Sequence, residues 1–256
     1  MPDKKNLFGV DYSIVDYKSA TAVIMEAARA RHSFGVSALA VHGLMECVWS
    51  KELADAVNKI DLVVPDGQPV RWALNSLHQT GLPDRVSGPQ LTQHVLQAMD
   101  REGMRLFLYG STAVTLEKLC DYIQQTHPAV EICGIHEDRF REATPEEDRH
   151  DIERINASGA HVILVGRGCP RQERWVSAHL GKIDGVMMAV GAAFDFFVGN
   201  IKPAPRWMQC AGLEWFYRLL QEPGRLWKRY LTTNTAFGYH FAKHKLRQLF
   251  GRRAQQ

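Results

Sequence analysis

The stretch MRLFLYGSTAVTLEKLCDYIQQTHPAVEICGI, residues 104–135, decides the fold. Met104–Tyr109 is an apolar run of strand length. It stops at Gly110-Ser111-Thr112, a glycine followed by two hydroxyl side chains suited to capping a helix. Helical spacing then continues to about Thr126, and Val130–Ile135 is again strand-like. The same alternation recurs on both sides. Upstream, an amphipathic helix over 17–31 carries Ala20, Val23, Ile24, Ala27 and Ala28 at helical spacing. It precedes a strand at Val36–Val41, a helix over Leu44–Asn58, a buried strand at Ile60–Pro65 and a helix over Gln68–Leu77. The polar, Gly- and Pro-containing stretch His78–Pro89 reads as a loop and Gln90–Glu102 as a helix. Downstream come a helix over Thr144–Ala157 opened by T-P-E-E, strands at His161–Val165 and Val186–Val190, and a helix over Arg171–Leu180 between them. Strands alternating with helices at this spacing predict an α/β fold: a Rossmann-like, mostly parallel sheet with helices on both faces. After Pro205 the texture turns helical, aromatic and basic. The expected division is a catalytic α/β domain over 1–200 and a C-terminal basic helical appendage over 201–256.

Composition narrows the function classes. With 45% apolar and 23% charged residues, the chain is globular rather than collagen-like or disordered. Its five cysteines are odd in number and contain no C-x-x-C, which argues against a disulfide framework and a structural zinc site. The N-terminus shows no apolar signal core and no run of about 18 apolar residues occurs, so the expected compartment is the cytosol. The net charge of +3 hides an asymmetry: residues 200–256 hold eleven Lys/Arg against Glu214 and Glu222, a net of +9, leaving −6 for the rest. A basic end of this kind suits a phosphorylated substrate, an anionic membrane or a nucleic acid.

Ligands of open α/β sheets bind beyond the carboxyl ends of the strands, so the candidate residues are sought there. Asp66 follows an apolar strand directly and precedes Gly67. It is placed to act as a general base or to bind a ribose, or simply to cap the next helix. Gly110, Ser111 and Thr112 stand between strand and helix, where free N–H groups attract phosphate; a plain capped turn has the same pattern. Gly166-Arg167-Gly168-Cys169-Pro170 begins like a dinucleotide fingerprint but has Arg171 where a third glycine belongs. Pro170 suits a helix start, with the Gln172 amide turned toward the strand-end edge. Cys169 lies between Arg167 and Arg171, which would lower its pKa, but no base accompanies it. Gly191 and Asp195 follow the last strand. Asp195, flanked by apolar residues, is expected to be a buried carboxylate in need of partners. The eleven histidines show no metal-ligand spacing, so neither a metal nor a cofactor is assigned. In the tail, Trp207, Trp215, Phe216, Tyr217, Trp227 and Tyr230 interleave with Arg218, Arg225, Lys228 and Arg229. That pattern fits a membrane surface, a nucleic acid, or a helix packed by its aromatic face with arginines toward a diphosphate.

Four segments carry a resemblance: VVPDGQPVRWALNSLHQTGLPDRVSGPQL (63–91), YGSTAVTLEKL (109–119), VGRGCPRQERW (165–175) and VGAAFDFFVGNIKPAPRWMQCAGLEWFYRLLQEPGRLWKRYL (190–231). Together they resemble the WecG/TagA/CpsF glycosyltransferases, glycosyltransferase family 26, over roughly Leu7 to Leu231. The resemblance implies an inverting, metal-independent enzyme at the cytoplasmic face of the membrane. It would move a sugar, N-acetylmannosamine-like or a related uronic acid, from a UDP-sugar to a polyprenyl-diphosphate-linked acceptor for a surface polysaccharide. Matched position by position, the resemblance makes Asp66 the general base, Arg85 an arginine at the pocket and Gln172 a glutamine near the donor. Arg218, Arg225 and Arg229 match the arginines of an appendage that closes over the site. His42 stands where many members have the asparagine of a T-x-N motif, a departure that bears on the sugar handled. The expected partners are the UDP-sugar, the lipid-linked acceptor, an anionic membrane through the tail and a second copy of the chain, with no nucleic acid. A nucleic-acid-binding protein using the basic tail and an NAD-dependent Rossmann enzyme are the rival classes; the second would need the glycine fingerprint that is absent.

Overall fold

The structure is a computed structural model and describes residues 1–253. The last three residues of the appendage expected over 201–256, and the side chains of Arg252 and Arg253, lie outside the described residues. Six strands form one wholly parallel sheet: β3 (Phe34–Leu39), β4 (Leu62–Pro65), β5 (Arg105–Gly110), β6 (Glu131–His136), β7 (Val162–Gly166) and β8 (Val186–Ala189), in the order β4-β3-β8-β7-β5-β6. Apolar residues dominate β3, β4, β5, β7 and β8 because both their faces are covered, whereas the edge strand β6 is only partly buried. Alternate residues serve opposite faces. Val162 and Leu164 of β7 enter one core with α1 (Tyr17–Arg29), α5 (Gly88–Glu102) and α6 (Ala113–Thr126). Ile163 and Val165 enter the other with α2 (Val41–Trp49), α3 (Lys51–Asn58), α4 (Gln68–His78) and α8 (Arg171–His179). Helix α7 (Pro145–Ser158) contributes Ile155 to this second core.

Three features differ from the sequence reading. First, β1 (Lys4–Leu7) and β2 (Val10–Ser13) form an N-terminal antiparallel hairpin that was not foreseen. Leu7, Val10 and Tyr12 join the second core. Second, the helix expected over Leu44–Asn58 starts at Val41 and is broken at Ser50. The Ser50 side chain caps α3 by accepting from the Leu53 amide at 3.3 Å, satisfying an N–H that a continuous helix would have bonded internally. Third, α5 begins at Gly88 rather than Gln90, with Pro89 in its first turn, where proline's missing donor costs nothing.

Beyond β8 the chain is helical: α9 (Ala193–Phe197), α10 (Arg206–Cys210), α11 (Glu214–Gln221) and α12 (Pro223–Arg253). Helix α12 lies across α2 and α4. Its inner face includes Leu226, Thr233, Phe237, His240 and His244. Those positions recur at steps of seven, four, three and four, as a helix stripe does. Among the described residues, no helix is long and apolar enough to cross a membrane.

All strand carboxyl ends reach one edge of the sheet, as parallel pairing requires. Gly110 and Gly166 are paired there in the β5–β7 register. A Cβ on Gly110, at φ +114°, would lie 2.6 Å from the Gly166 carbonyl oxygen. Neither backbone can yield without breaking the ladder. Gly110→Ala is therefore expected to lower stability by about 2 kcal/mol or more, read as a fall in the thermal midpoint.

Candidate active site

Asp66 is the first residue beyond β4, half-buried at the sheet edge. One carboxylate oxygen accepts from the Gly88 amide at 3.3 Å, at the start of α5. That amide comes close because Gly88 has no side chain: a Cβ there would stand 2.7 Å from the Val190 carbonyl. The loop between α4 and α5 is held from several sides. Asn75 bonds both the amide and carbonyl of Leu82, and Arg71 donates to the same carbonyl. The Val86 amide donates to the Pro65 carbonyl. From α1, the Tyr17 hydroxyl accepts from the Ser87 amide at 3.0 Å. This rigid loop fixes Arg85.

The tail completes the site. Arg85 is buried, and its guanidinium donates to Glu214 of α11 and, at 3.2 Å, to Gln209 of α10. Arg218 lies one turn beyond Glu214, on the same face of α11. Its Nε is buried without a hydrogen-bond partner among the described residues, and its guanidinium carbon sits 5.8 Å from the centre of the Phe196 ring. Burial pushes the Asp66 carboxyl up to about 6; Arg85, the Gly88 amide and Arg218 oppose that rise while Glu214 adds to it. At neutral pH Asp66 is thus an ionised carboxylate of raised basicity within the field of Arg218.

His42 follows β3 and Gln172 follows β7, two strands separated in the sheet by β8. Gln172 is fully buried at the start of α8, not turned freely to the edge as its sequence position suggested. Its amide nitrogen donates to Glu173 at 2.9 Å and lies 3.8 Å from where a Cβ on Gly191 would stand, while its Oε1 has no partner. Glu173 also accepts from Ser37 at 3.3 Å, and burial holds its carboxyl above the ordinary range. His42, in the first turn of α2, has its Nδ1 3.7 Å from Glu46. Burial, and then Arg229 of α12, push its pKa down to about 4, so it is neutral at physiological pH.

The other candidates fall elsewhere. The Ser111 amide donates to Gly166, Thr112 caps the Thr115 amide, and Glu137 already accepts from the Ala113 amide. The Ser111, Ala113 and Thr115 amides of this turn are thus already bonded within the protein. Gly168 ends in the same loop, where Arg167 and Arg171 both donate to Asp138 rather than attending Cys169. The Cys169 thiol is correspondingly not activated: burial drives its pKa well up. Pro170 stands at the N-cap of α8, one position before the expected first turn. Asp195 is half-buried, not buried, and accepts from Asn200 at 3.1 Å. Arg225 is exposed and paired with Glu222 at 2.5 Å. Glu214, Gln209, Glu173 and Tyr17 were not singled out from sequence. Glu214 had a signal, being one of two acids in a strongly basic tail.

The raised Asp66 pKa makes a stability prediction. A carboxyl whose folded pKa exceeds its unfolded 3.8 stabilises the fold below about pH 4, and that contribution is lost as pH rises through about 6. Asn mimics the protonated acid. Asp66→Asn is expected to raise the thermal midpoint at pH 7.5, by the equivalent of about 1–3 kcal/mol, and to leave it unchanged near pH 3.5. A midpoint that falls at pH 7.5 would contradict the burial argument.

The parallel sheet, the carboxylate after β4 and the arginine-bearing tail have a counterpart in known sequences. Residues 5–251 match the profile described as the glycosyl transferase WecG/TagA/CpsF family. The match takes in nearly the whole chain, including body and tail alike. This protein therefore belongs to the WecG/TagA/CpsF family of glycosyltransferases.

Proposed function

We propose that the chain is an inverting, metal-independent transferase that moves a sugar from a UDP-sugar to a polyprenyl-diphosphate-linked acceptor in surface polysaccharide synthesis. The observation that carries this reading is the pairing of opposite needs at one place. Asp66 is an ionised base, and Arg218, whose charge acts on it, is a half-buried cation whose Nε has no hydrogen-bond partner among the described residues. Asp66 takes the proton of the acceptor hydroxyl, and that oxygen attacks the anomeric carbon. The bond from the anomeric carbon to the diphosphate breaks on the opposite face, and UDP leaves with the electron pair. Arg218 and Arg229 receive the growing negative charge, which guanidinium groups do well in a partly dry site. Gln172, with its amide nitrogen near Gly191 and its oxygen unpartnered among the described residues, suits a sugar hydroxyl. Neutral His42 offers a second polar contact next to Arg229. Gly110, Ser111, Thr112, Gly166 and Gly168 shape the sheet edge and take no direct part.

The acceptor's lipid places the site at a membrane, on the cytoplasmic side where nucleotide sugars are found. Support comes from the second face of α12. Trp227, Leu231, Tyr239, Leu246 and Phe250 are exposed and recur at steps of four, eight, seven and four. This stripe points away from the docked face, and Lys228 and Lys243 flank it. Apolar insertion beside lysines is the pattern of an interfacial helix on anionic lipid.

Three experiments test the reading. Calorimetric titration in EDTA should show UDP binding and none of NAD. Asp66→Asn should keep UDP binding and lose about 10²–10⁴ in turnover with a lipid-linked acceptor. Near-normal turnover would remove Asp66 from the role of base. Separately, Trp227→Ser with Leu231→Ser should reduce sedimentation with anionic vesicles, and the wild-type association should weaken with salt. Sedimentation equal to the wild type would take the outer stripe of α12 out of the interface.

A further inference from the structure

An arginine at a diphosphate site should present free N–H groups to the crevice. Arg85 does not. Its side chain is 6% exposed, one terminal nitrogen is bonded to Glu214 and the other to Gln209. Gln209 is itself anchored, its amide donating to the Ala204 carbonyl at 2.7 Å. The loop on the body side is equally fixed, because Asp84 accepts from both the Arg85 amide and the Gln68 side chain. The contact therefore joins two stiff pieces, the α4–α5 loop and the α10–α11 turn.

We infer that Arg85, Glu214 and Gln209 form a clasp that seats α11 over the sheet edge and so delivers Arg218 to Asp66. All three are positioning residues and none touches the substrate. The inference rests on the reading of Asp66 as the base. Its geometric core is the four-residue spacing of Glu214 and Arg218, which puts both on one face of α11. Fixing Glu214 on Arg85 fixes where the next turn of the helix can place its guanidinium. Arg85 is buried and Glu214 is 24% exposed, so the pair is costly to break by removing one partner.

The clasp has an electrostatic signature that mere scaffolding lacks. Asp66 faces Arg85 from the α4–α5 loop, Glu214 and Arg218 from α11, Tyr17 from α1 and Tyr12 from the hairpin. Within this set Glu214 raises the Asp66 pKa and Arg85 lowers it. Removing either loosens α11, but the two removals move the acidic limb of the rate profile in opposite directions.

The test uses the full chain and two readouts. Amide hydrogen exchange over residues 214–221 should quicken at least about tenfold in Arg85→Gln and in Glu214→Gln. The double variant should quicken little further, and the swapped pair Arg85→Glu with Glu214→Arg should regain part of the protection. In the pH dependence of kcat/KM, Glu214→Gln should shift the acidic limb down and Arg85→Gln should shift it up, each by about half a unit or more. Unchanged exchange in both single variants, with UDP binding lost only in Arg85→Gln, would make Arg85 a ligand of the donor and overturn the clasp. If no nucleotide sugar supports turnover, the proposed transfer fails, while the exchange measurement still decides whether the clasp exists.

Discussion

A carboxylate placed at the edge of a parallel sheet, half out of water, has to be given neighbours. Asp66 is in that position because β4 ends where it does, and much of the local structure answers to it. The N-terminus of α5 supplies an amide, the fixed α4–α5 loop supplies Arg85, and the tail supplies Arg218. Burial raises the Asp66 carboxyl, and Glu214, arriving with the tail, partly cancels what the arginines provide, so the group stands at about 6 instead of near 4. A weaker set of cations would leave the carboxyl protonated at working pH. A stronger set would make it a poor base. The tail is thus part of the site's electrostatics as well as its roof.

The same dependence explains why the chain after β8 does not read as an independent unit. Helix α12 is seated through Leu226, Thr233 and Phe237 on α2, α4 and the hairpin, with Phe8 against Phe237 and His244. Lys245 and Gln248 donate to the carbonyls at the end of α4. These contacts hold the far half of the helix, while the Arg85 contacts hold α10 and α11 at the site. Between them α12 keeps an outward apolar stripe that nothing among the described residues covers. A helix with two apolar faces can serve two solvents at once, the protein core on one side and a lipid interface on the other.

Most of the α/β body was legible because buried parallel strands are near-continuous apolar runs and glycine turns separate them from helices. The hairpin was not, and the reason is local. Its two-residue turn has positive φ at both Phe8 and Gly9, a geometry usually announced by Asn-Gly. Phe at the first position hides that signal, and the cost of its backbone is met by packing against α12. Asp66 was legible from the strand preceding it, and Arg218 and Arg229 from the resemblance of the tail. Arg85 was named but its partners were not, since pairing between residues 85, 209 and 214 leaves no trace in local spacing. The glycine turn at Gly110 looked like a phosphate cradle because sequence shows which amides begin a helix. It does not show that Gly166, Thr112 and Glu137 already use the bonding groups around it.

The molecule holds two notable acids near the sheet edge, and comparing them shows how surroundings assign their roles. Glu173 is sealed away, 1% exposed, among Gln172, Ser37 and Cys169, all of them uncharged. No cation stands within bonding distance among the described residues, burial raises the carboxyl against the pull of its hydrogen bonds, and the group serves as a hydrogen-bonding strut. It orients the Gln172 amide, which leaves that side chain's oxygen directed elsewhere and unpartnered. Asp66 is also raised by burial, but two guanidinium groups and an amide hold its rise to about 6, and it keeps partial access to solvent. The first acid is enclosed by its hydrogen-bond partners and the second is poised to exchange a proton. Two carboxyls with pKa values displaced by different surroundings divide naturally into scaffold and base, and it is the accessible one, within the field of Arg218, that suits proton abstraction.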